Sequence, residues 1–339
     1  MSWTFEPAAE TFEKLRTDWD ALNRSQHNHV LLDSAFVAPL IRHFGDGRVL
    51  VGVSDDTGTP GMVLVVKTAP GIWETFQPSQ APLGLILLGS RDPQMSVAME
   101  IIRSLPGLAV QLGVLQQDPD YSSFPATPPG PQVQVLDAAE TGRLEVAGAF
   151  EDFWETRNSD LKQNVSRRQR RLAGQGKKLT LLTHRSPGAV AECLRAYGRI
   201  ESQGWKGREG SALSEDNAQT RFYSDVMESF CERGEGYIYQ LWLDDQLIGS
   251  EVYIARNGML VGLKTTYDES YRNLSPGFLM KSAIIRQVFE EKEFRVVEFY
   301  GRVKDWHKKW STHFRRMYHL NCFRHRWVNT AREVMKRFA

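Results

Sequence analysis

Apolar residues recur with two spacings along the first 130 residues, one helical and one strand-like, so both kinds of element are predicted there. The predicted helices are 12–25, 32–44 and 93–104, and the predicted strands are 48–53, 62–67 and 108–115. The turn Asp56-Thr57-Gly58 joins the first two of these strands as a hairpin. The first part of the chain is therefore predicted to be a small α/β unit.

The pattern is more regular in the second half, where three consecutive strands are predicted between helices. The turns at 244–246 and 256–258 separate these strands, and the Asn257-Gly258 pair is typical of a type I′ hairpin turn. The predicted strands are 178–184, 237–243, 247–255, 259–267, 295–300 and 317–325, and the predicted helices are 188–203, 215–233, 275–292 and 305–313. An antiparallel meander is expected at the centre of this half.

Residues 118–131 separate the two halves. This segment is dense in Pro, Ser, Asp and Gly and lacks periodicity, which is typical of a linker or a long surface loop. A chain of 339 residues is long enough for two domains. We therefore predict an N-terminal domain at 1–130 and a C-terminal domain at 131–339.

The overall charge is nearly balanced, with 42 basic and 41 acidic residues and a formal net charge of +1. No global charge therefore favours nucleic acid or a membrane surface, and such a partner would need a local basic patch. Basic residues concentrate at 162–178 and at 302–326. These segments predict a solvated helix surface, with an RNA-binding face as the alternative.

The sequence predicts a cytoplasmic protein without a membrane span. Its longest apolar stretch, 81–89, is far too short to cross a bilayer, and its N-terminus lacks the basic-then-apolar pattern of a signal peptide. The three cysteines, Cys193, Cys231 and Cys322, are widely separated and indicate core thiols rather than disulfides or a zinc site. No metal site is predicted.

The segment 271–278 lies between an apolar strand and an amphipathic helix, where a chain can hold a phosphate group. Ser275 is a good N-cap, Pro276 suits the first helical position, and Gly277 lets a ligand approach the N–H groups of the first turn. Those N–H groups and the helix dipole favour an anion. An ordinary capped helix would use the same residues, so the segment taken alone is consistent with both interpretations.

Read as Arg-x-x-Ser-x-Gly, residues 272–277 resemble the Arg/Gln-x-x-Gly-x-Gly/Ala pyrophosphate loop of the GNAT acyltransferases, with Ser275 in place of the first glycine. The predicted order β-α-α-β-β-β-α-β-α-β is also that of a GNAT domain, and it puts this loop at the end of the fourth strand. The resemblance implies that a coenzyme A donor is bound by Arg272, Asn273, Leu274, Ser275, Gly277 and Phe278.

Two further motifs resemble the CelD/BcsL group of GNAT acyltransferases, which are found with exopolysaccharide and cellulose synthesis. They are Glu-Ser-Gln-Gly-Trp-Lys-Gly at 201–207 and Ser-Pro-Gly at 275–277, and the similarity covers most of 150–320. Members look like tandem GNAT folds, as do the Fem aminoacyltransferases that use aminoacyl-tRNA. The resemblance implies an α/β protein of two tandem GNAT folds with mixed, largely antiparallel central sheets, the N-terminal fold being degenerate. The chain departs from the group at 301–309, where the group has a Gly followed by a Tyr-Lys pair.

The chemistry of such a site is modest, because an acyl thioester is already activated and an amine attacks it once deprotonated and held close. A carboxylate can accept the amine proton, an N–H on the fourth strand can polarise the carbonyl, and a phenol can return a proton to the thiolate. Glu201 is the candidate base, with an ion pair to Lys206 or another surface cation as the alternative. Tyr267 is the candidate acid, Tyr271 could take the same role, and Tyr300 is a weaker candidate; packing is the alternative role for a tyrosine at a strand end.

Three other residues complete the candidate site. Lys206 is grouped with the catalytic candidates, to hold an anionic substrate or a diphosphate, with a solvated loop lysine as the alternative. Trp205 is expected either to stack on a sugar or to pack in the core. Asp268, between two tyrosines, is a candidate substrate-binding residue.

The predicted function is transfer of an acyl group, in the first instance acetyl from acetyl-CoA, to an amine or hydroxyl of a sugar or other small polar acceptor. The sequence contains no G-x-x-x-x-G-K-[ST], no G-x-G-x-x-G after a strand, no H-E-x-x-H and no G-x-S-x-G, so ATP, NAD and zinc are not expected. Two alternatives stay open: a Fem-like transferase that uses aminoacyl-tRNA, and a non-catalytic binding module on a decayed GNAT fold.

Overall fold

The computed structural model describes residues 2–56, 60–89, 95–124, 126–127, 130–203, 213 and 217–328. The chain forms two compact units, one of Met1–Thr141 with Arg315–Ala339 and one of Gly142–Phe314. The domain boundary at residue 130 stays a prediction, because compactness does not test which segment folds on its own.

The first unit packs helices against a mixed sheet. Its elements in chain order are β1 (Trp3–Pro7), α1 (Ala8–Gln26), a 3₁₀ turn (Val30–Leu32), α2 (Ser34–Phe44), β2 (Leu50–Ser54), β3 (Gly61–Ala69), β4 (Ile72–Thr75), β5 (Ile86–Leu88), α3 (Met95–Ser104), β6 (Gln111–Gln117) and the start of β7 (Val133–Glu145). The last described strand of the chain, His313–Phe323, also enters this unit, and it is β13 below. The sheet order is β1-β2-β3-β4-β6-β13, with β5 beside β3.

The second unit has the longer strands. Its elements after β7 are α4 (Phe150–Glu155), α5 (Ser159–Gly174), β8 (Leu179–His184), α6 (Pro187–Gln203), α7 (Ala218–Glu232), β9 (Gly236–Leu243), β10 (Gln246–Arg256), β11 (Met259–Tyr267), a 3₁₀ helix (Glu269–Leu274), α8 (Pro276–Glu291), β12 (Val296–Phe299) and α9 (Asp305–Trp310). The sheet order is β8-β9-β10-β11-β12-β7.

Both units repeat one topology. Each sheet has three antiparallel pairings, then one parallel pairing, then a final antiparallel pairing. The parallel pair is β4 with β6 in the first unit and β11 with β12 in the second. In each unit two helices follow the first strand, and one helix precedes the second strand of the parallel pair. The predicted α/β class, with two similar folds in tandem and mixed, largely antiparallel sheets, is confirmed.

The predicted helices and strands are found within a few residues of their expected bounds, but β1, β4, β5 and α4 were not predicted, and the sheets are completed differently. Sequence analysis assigns the strand at 317–325 to the second half, whereas β13 pairs with β6 of the first unit. In the second unit the equivalent position is taken by the end of β7, whose Leu144 pairs with Val297 of β12. The strand β7 was not predicted, because its buried positions do not alternate. The predicted turn at 56–58 falls largely outside the described residues.

Amphipathic patterning explains how the helices of the second unit pack. In α5 the apolar residues Leu161, Val165 and Leu172 are buried, while Arg167 and Arg170 face solvent. The helix α8 buries Leu279, Met280 and others in the core that α4, α5 and the sheet share. The other helix pair lies against the sheet too, with α6 contacting β10 and β11 and α7 contacting β9.

One basic residue of the 302–326 segment is buried. Arg315 has a side chain only 4% exposed, and its Nε lies 2.7 Å from Oδ1 of Asp118. The expectation of a solvated surface is therefore wrong for Arg315, because a short buried ion pair holds it inside the first unit. Among the described residues, no helix is long and apolar enough to cross a membrane.

Candidate functional site

The second unit has an opening where its two parallel strands separate. The pairing of β11 with β12 extends only from Met259 to Val261, although β11 continues to Tyr267. A cavity of about 530 Å³ lies at this opening. Its lining comprises Ile200, Glu201, Glu251, Thr265, Thr266, Tyr267, Glu269, Arg272, Ser275, Gly277, Phe278, Lys281, Lys304, Trp306, His307 and Trp310.

The predicted anion-binding loop forms one border of this cavity. The helix α8 begins at Pro276, as predicted, and Ser275 occupies the N-cap position. The expected side-chain cap is absent, however: Ser275 makes no capping hydrogen bond and has left-handed backbone angles of φ 51° and ψ 60°. Its carbonyl oxygen instead accepts from the N–H groups of Phe278 and Leu279. Left-handed backbone angles suit glycine, and glycine is the residue that the GNAT pyrophosphate loop has at this position.

Gly277 leaves room for a ligand beside the first turn of α8. A Cβ added to it would meet Cδ1 of Tyr267 at 3.7 Å, which is ordinary van der Waals contact, so the fold itself does not require glycine here. No backbone hydrogen bond among the described residues uses its N–H. Arg272 is exposed, lines the same cavity, and forms no ion pair with the described residues. The loop thus presents an N–H group, a helix N-terminus and a guanidinium.

The other predicted residues of the loop lie differently. Asn273 is exposed and Leu274 packs against the core, and neither lines the cavity. Asp268 lines a separate cavity of about 390 Å³, and its side chain accepts from the N–H of Ser270 at 2.9 Å. Tyr267 does line the main cavity and is 43% exposed. Whether these residues bind a donor or acceptor stays a prediction.

Glu201 is a buried carboxylate at the cavity wall, only 2% exposed. Both of its oxygens lie 2.9 Å from Nζ of Lys264, and one accepts from the N–H of Leu213 at 2.9 Å. The hydroxyl of Tyr197 donates to it at 3.4 Å, and burial raises the pKa of that phenol well above its ordinary value. Among the described residues its ion-pair partner is Lys264 on β11, and the predicted Trp205 and Lys206 lie outside them.

A second buried ion pair, which sequence analysis did not find, faces the same cavity. Glu251 on β10 accepts hydrogen bonds from Lys281 of α8 and from the hydroxyl of Tyr253, and Oε1 accepts from Thr265 at 3.1 Å. The Lys281 ammonium also lies over the ring of Trp306, 5.8 Å from its centroid. A lysine among the apolar residues of α8, and a glutamate in the apolar strand β10, were the sequence signals available for this pair.

The segment after β12 contributes His307 to the lining of the cavity. His307 is 6% exposed. Its Nδ1 accepts the N–H of Lys304 at 2.9 Å, and its ring stacks on Trp306 with centroids 3.6 Å apart. Burial, together with the charges of Lys281 and Lys304, lowers the pKa of His307 to about 4. The imidazole is therefore neutral at pH 7.

The remaining expectations concern metals and thiols. Among the described residues, no group of three or more His, Cys, Asp or Glu side chains could hold a metal ion. Cys193, Cys231 and Cys322 are free and buried, which confirms their expected place in the core. Burial raises the pKa of the Cys193 and Cys231 thiols to about 11.

Comparisons with solved structures place this fold among known ones. FemX matches with a TM-score of 0.61 and 9% identity, over 91% of this chain and 96% of that chain. The C-terminal domain (DUF2156) of a putative lysylphosphatidylglycerol synthetase from Agrobacterium fabrum matches with a TM-score of 0.55 and 12% identity, over 93% and 94%. L-PGS from Bacillus licheniformis matches with a TM-score of 0.52 and 12% identity, over 95% and 96%. At these identities the likeness shows the fold alone.

Comparison of the sequence places the cavity within a known domain type. No curated protein matches the chain. Residues 159–309, which include α6, β11, the loop and α8, match the family described as Acetyltransferase (GNAT) domain. This part of the chain is thus similar to a GNAT acetyltransferase domain.

Proposed function

We propose that this protein transfers an acyl group, in the first instance acetyl from acetyl-CoA, to an amine or hydroxyl of a sugar or another small polar acceptor. The observation that carries the proposal is that one cavity of the second unit is bordered both by the start of α8 and by the buried carboxylate Glu201. A volume of about 530 Å³ falls within the range of small-molecule sites. Donor and acceptor groups can meet there.

The donor is proposed to bind through its diphosphate at the start of α8. The N-terminus of a helix attracts anions through its free N–H groups and its dipole. Gly277 offers such an N–H without a side chain in the way, and Arg272 adds a positive charge. The match of 159–309 to a GNAT acetyltransferase domain supports acyl-CoA as the donor.

The acceptor is proposed to react beside Glu201. The amine nitrogen attacks the thioester carbon, the carbonyl π electrons move to oxygen, and the resulting tetrahedral species collapses by breaking the C–S bond. The proton lost by the amine goes to Glu201, and the thiolate takes a proton from the Tyr267 phenol. Lys264, 2.9 Å from both oxygens of Glu201, favours the ionised carboxylate that a base requires.

A second candidate is transfer from aminoacyl-tRNA. One observation favours it: the exposed face of α5 carries Arg167, Arg170 and Arg171, and the exposed Lys177 and Lys178 follow. A basic helix face of this kind suits a phosphate backbone. FemX, whose fold this chain shares, has the highest TM-score of the solved structures described above.

The finer assignment rests on the motif resemblance. We propose a CelD/BcsL-type role in exopolysaccharide biosynthesis, in the cytoplasm, with a sugar amine as acceptor. A screen of acetyl transfer to glucosamine and to non-sugar amines of similar size tests this role. Preference for the non-sugar amines would contradict it.

Calorimetric titration with acetyl-CoA tests the donor assignment. Saturable binding is expected, and Arg272→Ala should weaken it about 10- to 100-fold, because a charge-assisted contact with phosphate is lost. Arg286→Ala is the matched control, since Arg286 lies on α8, the helix that follows the loop, bonds Glu151 and does not line the cavity. Equal affinities for wild type and Arg272→Ala would contradict the proposed loop.

The same titration with uncharged and aminoacylated tRNA separates the donor classes. Binding of aminoacylated tRNA without binding of acetyl-CoA would replace the first proposal by the second. Absence of binding to both donors would support a non-catalytic module and overturn both catalytic proposals.

A further inference from the structure

The imidazole of His307 lines the cavity but takes no part in the acyl-transfer steps proposed above. Its ring lines both the main cavity and an adjoining one of about 120 Å³, and it is almost fully buried. Stacking on Trp306 at 3.6 Å fixes the plane of the ring. A rigid, buried polar group beside a substrate cavity is suited to a single directed contact.

The hydrogen bonding of the ring sets its tautomer. Nδ1 accepts the N–H of Lys304 at 2.9 Å, so the proton of the neutral ring is on Nε2. Burial next to Lys281 and Lys304 keeps the ring neutral at pH 7. No hydrogen bond among the described residues uses Nε2, the other nitrogen of the ring.

The Lys281 ammonium, the cation near the His307 ring, already forms hydrogen bonds within the protein. The Lys281 ammonium donates to Glu251 and to the hydroxyl of Tyr253, so most of its hydrogen-bonding capacity is used within the protein. The Nε2–H of His307, by contrast, has no protein partner in the described part of the chain. A neutral imidazole with this tautomer cannot act as a base, but it can stabilise negative charge on oxygen.

We propose that His307 donates a hydrogen bond from Nε2–H to the carbonyl oxygen of the acyl donor, and that it stabilises the oxyanion formed when the acceptor attacks. The inference rests on the proposed acyl transfer. The hydrogen bond moves no proton: the π electron pair goes to oxygen on attack and returns as the C–S bond breaks. The donor oxygen therefore lies within reach of the His307 ring.

The probe is a ketone analogue of acetyl-CoA in which CH₂ replaces the thioester sulfur, because it keeps the carbonyl and does not react. Nitrogen-15 NMR of histidine-labelled wild-type protein follows the Nε2–H signal, which is assigned by its loss in His307→Gln. Free coenzyme A is the control ligand, since it fills the same donor site without the acyl carbonyl. The signal is expected to move downfield with the analogue and to stay nearly unchanged with coenzyme A.

Two variants separate a hydrogen bond from packing. His307→Phe keeps an aromatic ring but removes the donor, whereas His307→Gln keeps an N–H donor and an oxygen that can accept from Lys304. His307→Phe should bind the analogue about tenfold more weakly, and His307→Gln should stay near wild type, while both bind coenzyme A normally.

The outcomes distinguish the two levels of the proposal. An analogue that binds wild type without moving the His307 signal overturns the hydrogen bond and leaves acyl-CoA binding intact. Equal analogue affinity in His307→Phe and wild type also overturns it. An analogue that does not bind wild type at all overturns the proposed function, and the inference with it.

Discussion

The two units share one topology and differ most where the parallel strands separate. In the second unit β11 continues past its pairing with β12, and a cavity of about 530 Å³ results. In the first unit the cavity near the end of β6 measures about 40 Å³, which is room for little more than water. The same sheet order therefore yields an open site in one unit and a closed one in the other.

The closure in the first unit is made by its own chain. The N–H of Leu115 donates to Oγ1 of Thr75 at 2.9 Å, and the N–H of Gly84 donates to the carbonyl oxygen of Gln116 at 3.3 Å. A Cβ on Gly84 would lie 2.1 Å from the carbonyl oxygen of Leu115, so glycine is needed for this approach. The comparison teaches that the site depends on the segments beside the parallel pair, and the sheet order alone does not create it.

The largest expected effect concerns a buried ion pair of the closed unit. Arg315→Met leaves Asp118 buried without its cation, and it should lower the free energy of unfolding by about 3–5 kcal/mol. Acetyl-CoA affinity should not change, because this pair does not line the open cavity. Urea unfolding and calorimetric titration measure the two quantities.

The adjacent Arg316 provides the control, since its ion pair with Asp137 is 63% and 69% exposed. Arg316→Met should lower the free energy of unfolding by less than about 1 kcal/mol. An equal loss of unfolding free energy in the two variants would show that burial of the Asp118–Arg315 ion pair does not increase its contribution to stability.

The next effect contrasts the buried carboxylates of the two units. Glu201→Gln should lower acetyl transfer to a small amine such as glucosamine about 100-fold, because it removes the proton acceptor. Asp118→Asn should leave the rate per folded molecule unchanged. Release of free coenzyme A thiol measures both, and a Glu201→Gln enzyme with full turnover would remove Glu201 from the reaction.

The same substitution, glycine to alanine, tests the closed site of the first unit at Gly84 and the open site of the second unit at Gly277. Gly84→Ala should destabilise the protein by about 1–3 kcal/mol, because its methyl group overlaps the backbone of β6. Gly277→Ala should fold with nearly unchanged stability and bind acetyl-CoA more weakly. Urea unfolding measures the stability of both variants, and calorimetric titration measures their affinity for acetyl-CoA. A destabilised Gly277→Ala together with a Gly84→Ala that is stable but binds weakly would contradict the assignment of open and closed units.

The smallest expected effect is at Ser275, whose φ of 51° is strained for a residue with a Cβ. Ser275→Gly should raise the free energy of unfolding by about 0.5–1 kcal/mol, since relief of the strain exceeds the added chain entropy of glycine. Ser275→Ala is the control and should give no gain. Urea unfolding of the two variants makes the comparison, and equal stability would show that the backbone there is unstrained.

Local signals explain which parts of the fold could be predicted from sequence. The meander was predicted nearly to the residue because Asp244, Asn257 and Gly258 adopt the positive φ angles that such turns require. The strand β7 was not predicted because its buried positions do not alternate, and the pairing of β13 with β6 was not predicted because it joins strands distant in sequence. Apolar periodicity does not encode which strand completes which sheet.

The residues of the candidate site also divide into those that sequence analysis proposed and those that it did not. The loop at 272–277 and Glu201 were found because each belongs to a short motif. Lys264, Lys281 and His307 were missed, since each acquires its meaning from residues brought close by folding. Lys264, for example, lies 63 positions from Glu201 in sequence and 2.9 Å from it in the structure.

Amide hydrogen exchange with and without acetyl-CoA tests the contrast between the two units most directly. Slower exchange on binding is expected in 262–267 and 269–281, around the open cavity. The corresponding segments of the first unit, 72–75, 83–88 and 111–117, should exchange at unchanged rates. Protection confined to those first-unit segments, with none at 269–281, would contradict the central claim that the second unit holds the donor.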